Sequence, residues 1–388
     1  MDLRSRGALV HKELTALDVK TLQALWEIGP RNLSRVARQL GIHRKTLQSR
    51  IAQMRSDPHF FLRVHTSVYH TNIGLRKAVV FLEAKPGMEK LLFDCLAINK
   101  YWLYVCRSYG TGEGCTAVYA IPAKFCREFE DFIHGLEDRE IVRKVSIYWS
   151  TCFQGGRITQ KWYDSDREKW AFRWNDWIEE VQTQETDLPY TLQEAKSYEN
   201  RADEIDLKML EKLEEDGSRS LTEIARSLGI SRQLARFHYR EHILGKNLIE
   251  GYEVFVMRYG ASPSLMVYFA ITFHDNETFS KFARSLLDKF FVLTMGKNLG
   301  ENRLIVEVFL PFDEFRKFIE VLSTMTRMNL VKDYTYAIQD LNIRCRQTIS
   351  PPLFERGKWV YNHENFMNEL HGKASALQPK CDSQQRAP

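Results

Sequence analysis

The sequence of 388 residues contains no apolar run long enough to cross a bilayer. Stretches such as AVVFL at 78–82 fall far short of the roughly 20 residues that a spanning helix requires. The first thirty residues show no charged-then-apolar leader, so a cytoplasmic location and no membrane partner are expected. Cysteine is sparse. The seven, at 95, 106, 115, 126, 152, 345 and 381, are odd in number and form no CxxC pair, which argues against a disulfide framework or a zinc ribbon and for reduced, structural thiols. Also missing are a glycine-rich phosphate loop, an HExxH motif and a local Ser/His/Asp signature. The stretch GTGEG at 110–114 lacks a following lysine and reads as a hairpin turn. These absences lead to the expectation that the protein is not an enzyme and carries no cofactor and no metal.

Positive charge is present, but it is concentrated. Lys and Arg number 55 against 50 Asp and Glu, a net charge of only +5. Residues 31–55 nevertheless hold seven Lys or Arg and no acid, and 219–246 hold six against two acids. The rest of the chain is therefore net negative. A cationic run without acids repels itself unless an anionic partner is expected nearby.

The two basic stretches align with each other. Gly41 in VARQLGI matches Gly229 in IARSLGI at an offset of 188, as LDVKTLQAL from 17 matches IDLKMLEKL from 205. At an offset of 189, IPAKFCREFEDFI from 121 lies over LPFDEFRKFIEVL from 310, VRKVSIYW from 142 over VKDYTYAI from 331, and KWAFRWNDWIEE from 169 over KWVYNHENFMNE from 358. A register held to one residue over about 150 positions points to two copies of one unit.

Hydrophobic period supplies the elements. Leu17, Leu22 and Leu25, like Ile205, Leu210 and Leu213, open each unit with a helix. Two further helices follow, then a strand with a turn in LIEGYEVFVMRYG and its counterpart HFFLRVHTSVYHTNIG. Beyond these the order becomes βαββαβ, at 77–83, 87–97, 101–108, 115–121, 123–134 and 141–149, and again at 265–273, 276–288, 290–296, 303–310, 312–323 and 331–338. That is the split β-α-β, ferredoxin-like order, with an antiparallel sheet and helices on one face. The expected class is α+β: a tandem winged helix-turn-helix and ferredoxin-like domain, each with a C-terminal aromatic helix. The boundaries are 12–74 and 75–150 for the first pair of domains, 151–200 for the aromatic helix and a polar linker, 201–262 and 263–345 for the second pair, and 346–388 for the last helix and a disordered tail. Trp170, Trp174, Trp177 and Ile178, and likewise Trp359, His363, Phe366 and Met367, share a helical face. Each stripe is expected to bury against its own unit.

Within the basic stretches, Ala37, Gly41 and Leu47 have the spacing of a small residue, a left-handed turn and an apolar anchor, which Ala225, Gly229 and Ala235 repeat. Val36, Leu40, Ile42, Ile224, Leu228 and Ile230 supply the buried positions. This is the helix-turn-helix pattern, and His43 and Ser231 are its expected N-caps. On such a fold the helix after the turn enters the major groove of double-stranded DNA. Arg44, Lys45, Gln48 and Ser49, with Arg232, Gln233, Arg236 and Arg240, are then the expected base readers. Arg31, Arg35, Arg38, Arg219 and Arg226 are the expected phosphate contacts.

The order of elements resembles the Lrp/AsnC (leucine-responsive regulatory protein) family of transcription regulators. The likeness is greatest in EIDLKMLEKLEEDGSRSLTEIARSLGISRQLARFHYREHILGKNLIEGYEV, residues 204–254, and in VARQLGIHRKTLQSRI, where Arg50 precedes Ile51. It implies DNA-binding transcriptional control, with the sheet domains serving dimerisation and small-molecule effector sensing. Fusion of two units implies an intramolecular pseudo-dimer reading an asymmetric operator, with further homodimerisation left open. The effector loops YGTGEGC (109–115) and GKNLGEN (296–302) carry only Glu113 and Glu301 as acids, unlike the family's Gly-Asp-x-Asp. The same architecture also resembles siroheme decarboxylases, which gives a second reading: a tetrapyrrole enzyme using His65 and His70, with His59 nearby. A third is an interaction scaffold that keeps the helix-turn-helix only as core.

Overall fold

The computed structural model describes residues 13–376 apart from 111, 260 and 261. The tail expected to be disordered lies outside the described residues from 377 onward. The first half runs α1 (Ala16–Ile28), α2 (Leu33–Leu40), α3 (Arg44–Ser56), β1 (Arg63–Val68), β2 (Leu75–Ala84), α4 (Glu89–Leu96), β3 (Trp102–Tyr109), β4 (Glu113–Pro122), α5 (Cys126–Asp138) and β5 (Val142–Ser150). Then come β6 (Gln154–Gly155), the pair β7 (Tyr163–Asp164) and β8 (Lys169–Trp170), and α6 (Trp174–Thr183). The second half runs α7 (Glu204–Glu215), α8 (Leu221–Leu228), α9 (Arg232–Phe237), β9 (Ile249–Phe255), β10 (Ser264–Thr272), α10 (Asn276–Ser285), β11 (Val292–Lys297), β12 (Arg303–Pro311), α11 (Phe312–Arg327) and β13 (Asp333–Arg346). The pair β14 (Phe354–Glu355) and β15 (Lys358–Trp359) and α12 (His363–Ser375) complete it. The class is α+β.

The glycine-hinged turns form as their spacing requires. Gly41 and Gly229 take left-handed φ of 65° and 66°, a region that favours glycine. His43 and Ser231 cap the helices that follow, accepting from the backbone N–H of Lys45 and Leu234. Val36, Ala37 and Leu47 are buried at one turn, Ile224, Ala225 and Ala235 at the other.

Nine strands form one sheet, in the order β5-β2-β4-β3-β13-β10-β12-β11-β6. Each half contributes four in the same relative order, β5-β2-β4-β3 and β13-β10-β12-β11, joined where β13 meets β3, and the short β6 adds a ninth at the edge beside β11. The first part of β13 pairs β10 from Asp333 to Ile338, and its last part pairs β3 with a register shift between Gln339 and Arg344. That second pairing carries the strand to Arg346, eight residues past the expected end at 338. The expected wings differ too. β1 and β9 are single strands that pair with each other, His65 opposite Glu253, and so tie the two helix-turn-helix units together.

The aromatic helices are exchanged between halves, contrary to the expectation that each packs on its own unit. Trp177 of α6 is buried with Phe282, Phe291 and Phe318 of the second half, stacked on Phe318 at 5.7 Å and 11°. Phe366 of α12 packs on Phe132 of α5 at 6.4 Å, and Trp359 donates its indole N–H to the Ile73 carbonyl at 2.6 Å. The segment read as a linker is ordered as well: Thr191 and Leu192 are buried, and Glu194 pairs with Lys297. Among the described residues, no helix is long and apolar enough to cross a membrane.

Candidate functional site

A cavity of about 500 Å³ lies between the paired strands β1 and β9 and the centre of the nine-stranded sheet, within the roughly 300–1,000 Å³ range of small-molecule sites. Both halves build it. Its apolar wall includes Val118, Phe153, Phe255, Met266 and Tyr268. Its polar lining is rich in cations: Arg63, Lys77, Arg258, Arg344 and Arg346.

None of these five cations forms an ion pair with a carboxylate among the described residues. Lys77, 6% exposed, sits over the Phe153 ring at 4.1 Å. Arg258, 4% exposed, donates to the Phe290 carbonyl, and burial pulls its guanidinium down to about 10. Arg63 lies over Phe61 and donates to the Leu62 carbonyl at 2.9 Å. Arg344 and Arg346 are exposed near the end of β13 and face one way because strand side chains alternate. A buried cation without a counter-charge is costly. The site therefore favours an anionic guest.

The acids in the wall do little to cancel this charge. Burial pushes Glu214 up to about 7, against a hydrogen bond from the Ile349 N–H at 2.8 Å. Glu307 is also raised by burial and accepts from the Gln339 amide at 2.8 Å, while Gln339 accepts from the Tyr104 hydroxyl at 2.6 Å. Glu215 is paired with Lys212 and Arg219. Glu253 lies opposite His65 in the β1–β9 pairing.

Two imidazoles complete the lining. His65 shares its Nδ1 with the Glu214 carbonyl oxygen at 2.8 Å, which fixes Nδ1 as the donor and leaves Nε2 with its lone pair. Burial, then the Arg346 charge, holds its pKa below the usual value. His70 is pushed down further, by burial and by Lys77, against a weak backbone contact to Val68, and both its ring nitrogens are buried with no side-chain hydrogen bond among the described residues. At neutral pH both rings are uncharged, so they can ligate a metal-bearing guest or exchange a proton with it. His59 lies outside the cavity lining, its Nδ1 3.0 Å from Asp57.

The residues expected to contact DNA divide into two groups. Arg44, Lys45, Gln48, Ser49, Arg232, Gln233, Arg236 and Arg240 are exposed, as are Arg35, Arg38 and Arg226, and none of the arginines or Lys45 is paired with a carboxylate among the described residues. Arg31 is different: it stacks on Tyr239 at 4.3 Å and donates to the Gly217 carbonyl at 3.2 Å, bracing one helix-turn-helix against the other. Arg219 pairs with Glu215 at 2.7 Å. Glu113 and Glu301 of the expected effector loops are taken up by Arg107 and Arg303.

Sequence reasoning singled out His65 and His70 but missed Glu214, Arg258, Arg344 and Arg346, which reach the cavity only through long-range pairing. Lys77 carried a signal, a lone charge entering the apolar run KAVVFL. So did the alternation in IRCRQ.

The AsnC-type helix-turn-helix domain family matches residues 203–236. No curated protein matches the sequence. Among solved structures, the chain is similar to the siroheme decarboxylase NirDL in co-complex with an iron-uroporphyrin III analogue, with a TM-score of 0.54 and 11% identity over 92% of this chain and 99% of that one. NirDL in a second crystal structure gives 0.53 and 12%, over 92% and 98%. At such identities the likeness is one of fold. The expectation that the chain is not an enzyme is overturned here, because the structures sharing its fold over nearly its whole length are those of an enzyme. The helix-turn-helix supports a relationship to the Lrp/AsnC family, and over 92% of its length the chain shares the α+β fold of the siroheme decarboxylase NirDL.

Proposed function

We propose that the chain is an enzyme of the siroheme-decarboxylase kind, acting on a carboxylate-bearing iron tetrapyrrole in the central cavity, and that its halves are fused copies of one unit. The observation that carries this reading is the set of five cations without carboxylate partners among the described residues, around an aromatic-walled cavity that also holds two neutral imidazoles. A tetrapyrrole is a flat apolar disc with an anionic rim, and arginine is suited to carboxylates because its fork donates in pairs. Decarboxylation of an acetate arm, R–CH2–COO⁻ + H⁺ → R–CH3 + CO2, breaks the C–C bond, leaves its electron pair on the methylene carbon and requires one proton there. Glu214, held at about 7, is protonated in about half of the molecules at neutral pH, and the His65 ring lies beside it, its Nδ1 on the Glu214 carbonyl. Perturbed acids and bases gathered in one cavity are what proton-transfer catalysis requires.

The experiment is a titration of the purified protein with iron-uroporphyrin III, followed by the tetrapyrrole's Soret band, and an anaerobic assay for CO2 released from siroheme. The expected result is a saturable spectral shift that His65→Ala alters, together with CO2 release. Absence of both would overturn the proposal.

DNA binding is kept as a second reading, because the AsnC-type match covers α8 and most of α9 and their arginines are exposed. If about six phosphates are neutralised, log affinity falls with log salt at a slope near −5. Arg232→Glu with Arg236→Glu should then abolish binding to the chain's own upstream DNA. A salt-independent response would remove this reading and leave the first untouched.

A further inference from the structure

Outside the cavity, α7 and the helical segment that follows α9 bring together Asp203, Asp206, His238 and His242, whose donor atoms all lie within 4.8 Å of one another. Asp206 is completely buried, His238 nearly so, and His242 and Asp203 lie toward solvent. The two histidines belong to a π-helical stretch, His238–Leu244. Such stretches are uncommon and recur at functional sites.

The first half shows what this position is without such ligands. There α1 opens with Thr15 and Asp18, and Arg50 of α3 donates to Thr15 Oγ1 at 3.0 Å and pairs with Asp18 at 2.6 Å. In the register that places Gly41 over Gly229, Thr15 corresponds to Asp203, Asp18 to Asp206, Arg50 to His238 and Met54 to His242. A hydroxyl, a guanidinium and a thioether are thus replaced by a carboxylate and two imidazoles, while the shared aspartate stays. A structural ion pair needs no such change, since Arg50 already satisfies Asp18. Each replacement is toward a ligand of a borderline divalent ion.

The spacing agrees. His238 Nδ1 lies 2.8 Å from Asp206 Oδ1 and 3.7 Å from Asp203 Oδ2, and His242 Nδ1 lies 3.1 Å from Asp206 Oδ2 and 3.4 Å from Asp203 Oδ2. Ligands about 2.0–2.1 Å from a tetrahedral zinc are about 3.3–3.4 Å apart, the middle of that range. Lys246, 3.9 Å from Asp206 Oδ2, is the one cation at the rim among the described residues and also donates to the Arg201 carbonyl.

We propose that Asp203, Asp206, His238 and His242 form a binding site for a zinc-class divalent cation that clips α7 to the end of the second recognition helix. The site is independent of the tetrapyrrole cavity.

The test uses the untagged full-length protein, stripped with chelator and titrated with Co²⁺, followed by visible d–d absorption and by displacement with Zn²⁺. One equivalent with a four-coordinate spectrum is expected, along with a higher melting temperature in zinc. The double variant Asp203→Thr with His238→Arg restores the first half's arrangement and should fold yet lose the spectrum. His242→Met, the residue type at position 54, is the second, milder variant. It should weaken binding by more than the roughly 100-fold that loss of a supporting outer contact costs. Wild-type protein without a cobalt spectrum, or His242→Met binding as wild type, would overturn the site.

Discussion

Replacing Arg344 and Arg346 together by glutamate should lower affinity for iron-uroporphyrin III by about 100- to 1,000-fold while leaving the melting temperature nearly unchanged. Both arginines are exposed, so they contribute little to the fold, and substitutions of that kind usually fall within about 0.5 kcal/mol. Their role is set by where β13 ends. The register shift between Gln339 and Arg344 re-aims the strand as bulges do, and the two exposed guanidiniums then line the cavity with no ion pair to a carboxylate among the described residues. A charge-assisted hydrogen bond is worth about 1.5–3 kcal/mol, and about 1.4 kcal/mol is a factor of ten in affinity. Because both guanidiniums face water, each contact sits at the low end of that scale, and losing about 3–4 kcal/mol in all gives the stated range. The effect should shrink in high salt, because these charges face water. Spectrophotometric titration of both proteins at two ionic strengths decides the matter. Equal affinities would mean that the guest is not held by its carboxylates, and the tetrapyrrole reading would fail.

Local chemistry was legible in the sequence; the meeting of distant segments was not. The hinges at Gly41 and Gly229 and the caps at His43 and Ser231 depend on neighbours a few residues away, and all four behave as read. Strand and helix positions follow the same logic, since period two or near four records burial of one face. β13 overran because Gln339–Arg346 gains its partner from β3, more than 200 residues earlier. Periodicity carries no information about such a partner. The same gap explains the cavity: His65 could be noticed, but Glu214 and Arg346, which shape its protonation, arrive from other elements. Charge density was legible, yet Arg31 shows its limit. It lies in the basic run, and only packing reveals that its charge rests on Tyr239.

The exchange of aromatic helices leads to the second large effect: Trp177→Ala should destabilise the protein by about 3–5 kcal/mol, the range for removing a buried tryptophan. Trp177 is 1% exposed and donates its indole N–H to Ser285 Oγ at 2.8 Å. Its ring stacks on Phe318 and meets Phe282 at 5.5 Å and Phe291 at 6.0 Å. Every one of these partners lies in the second half, although Trp177 follows the first half in the chain. The damage should therefore appear where the ring packs. Hydrogen exchange on the variant should show amides of β10, β12 and α10 losing protection before those of β2 and β4, because openings follow local packing. A helix packed on its own half would produce the reverse order, with β2 and β4 failing first. The two halves hold each other's last helix, since Phe366 and Leu370 of α12 are buried in the core of the first. Phe366→Ala should accordingly mirror the effect, exposing β2 and β4 ahead of β10 and β12. Observing the same order for both variants would show that the helices are not exchanged.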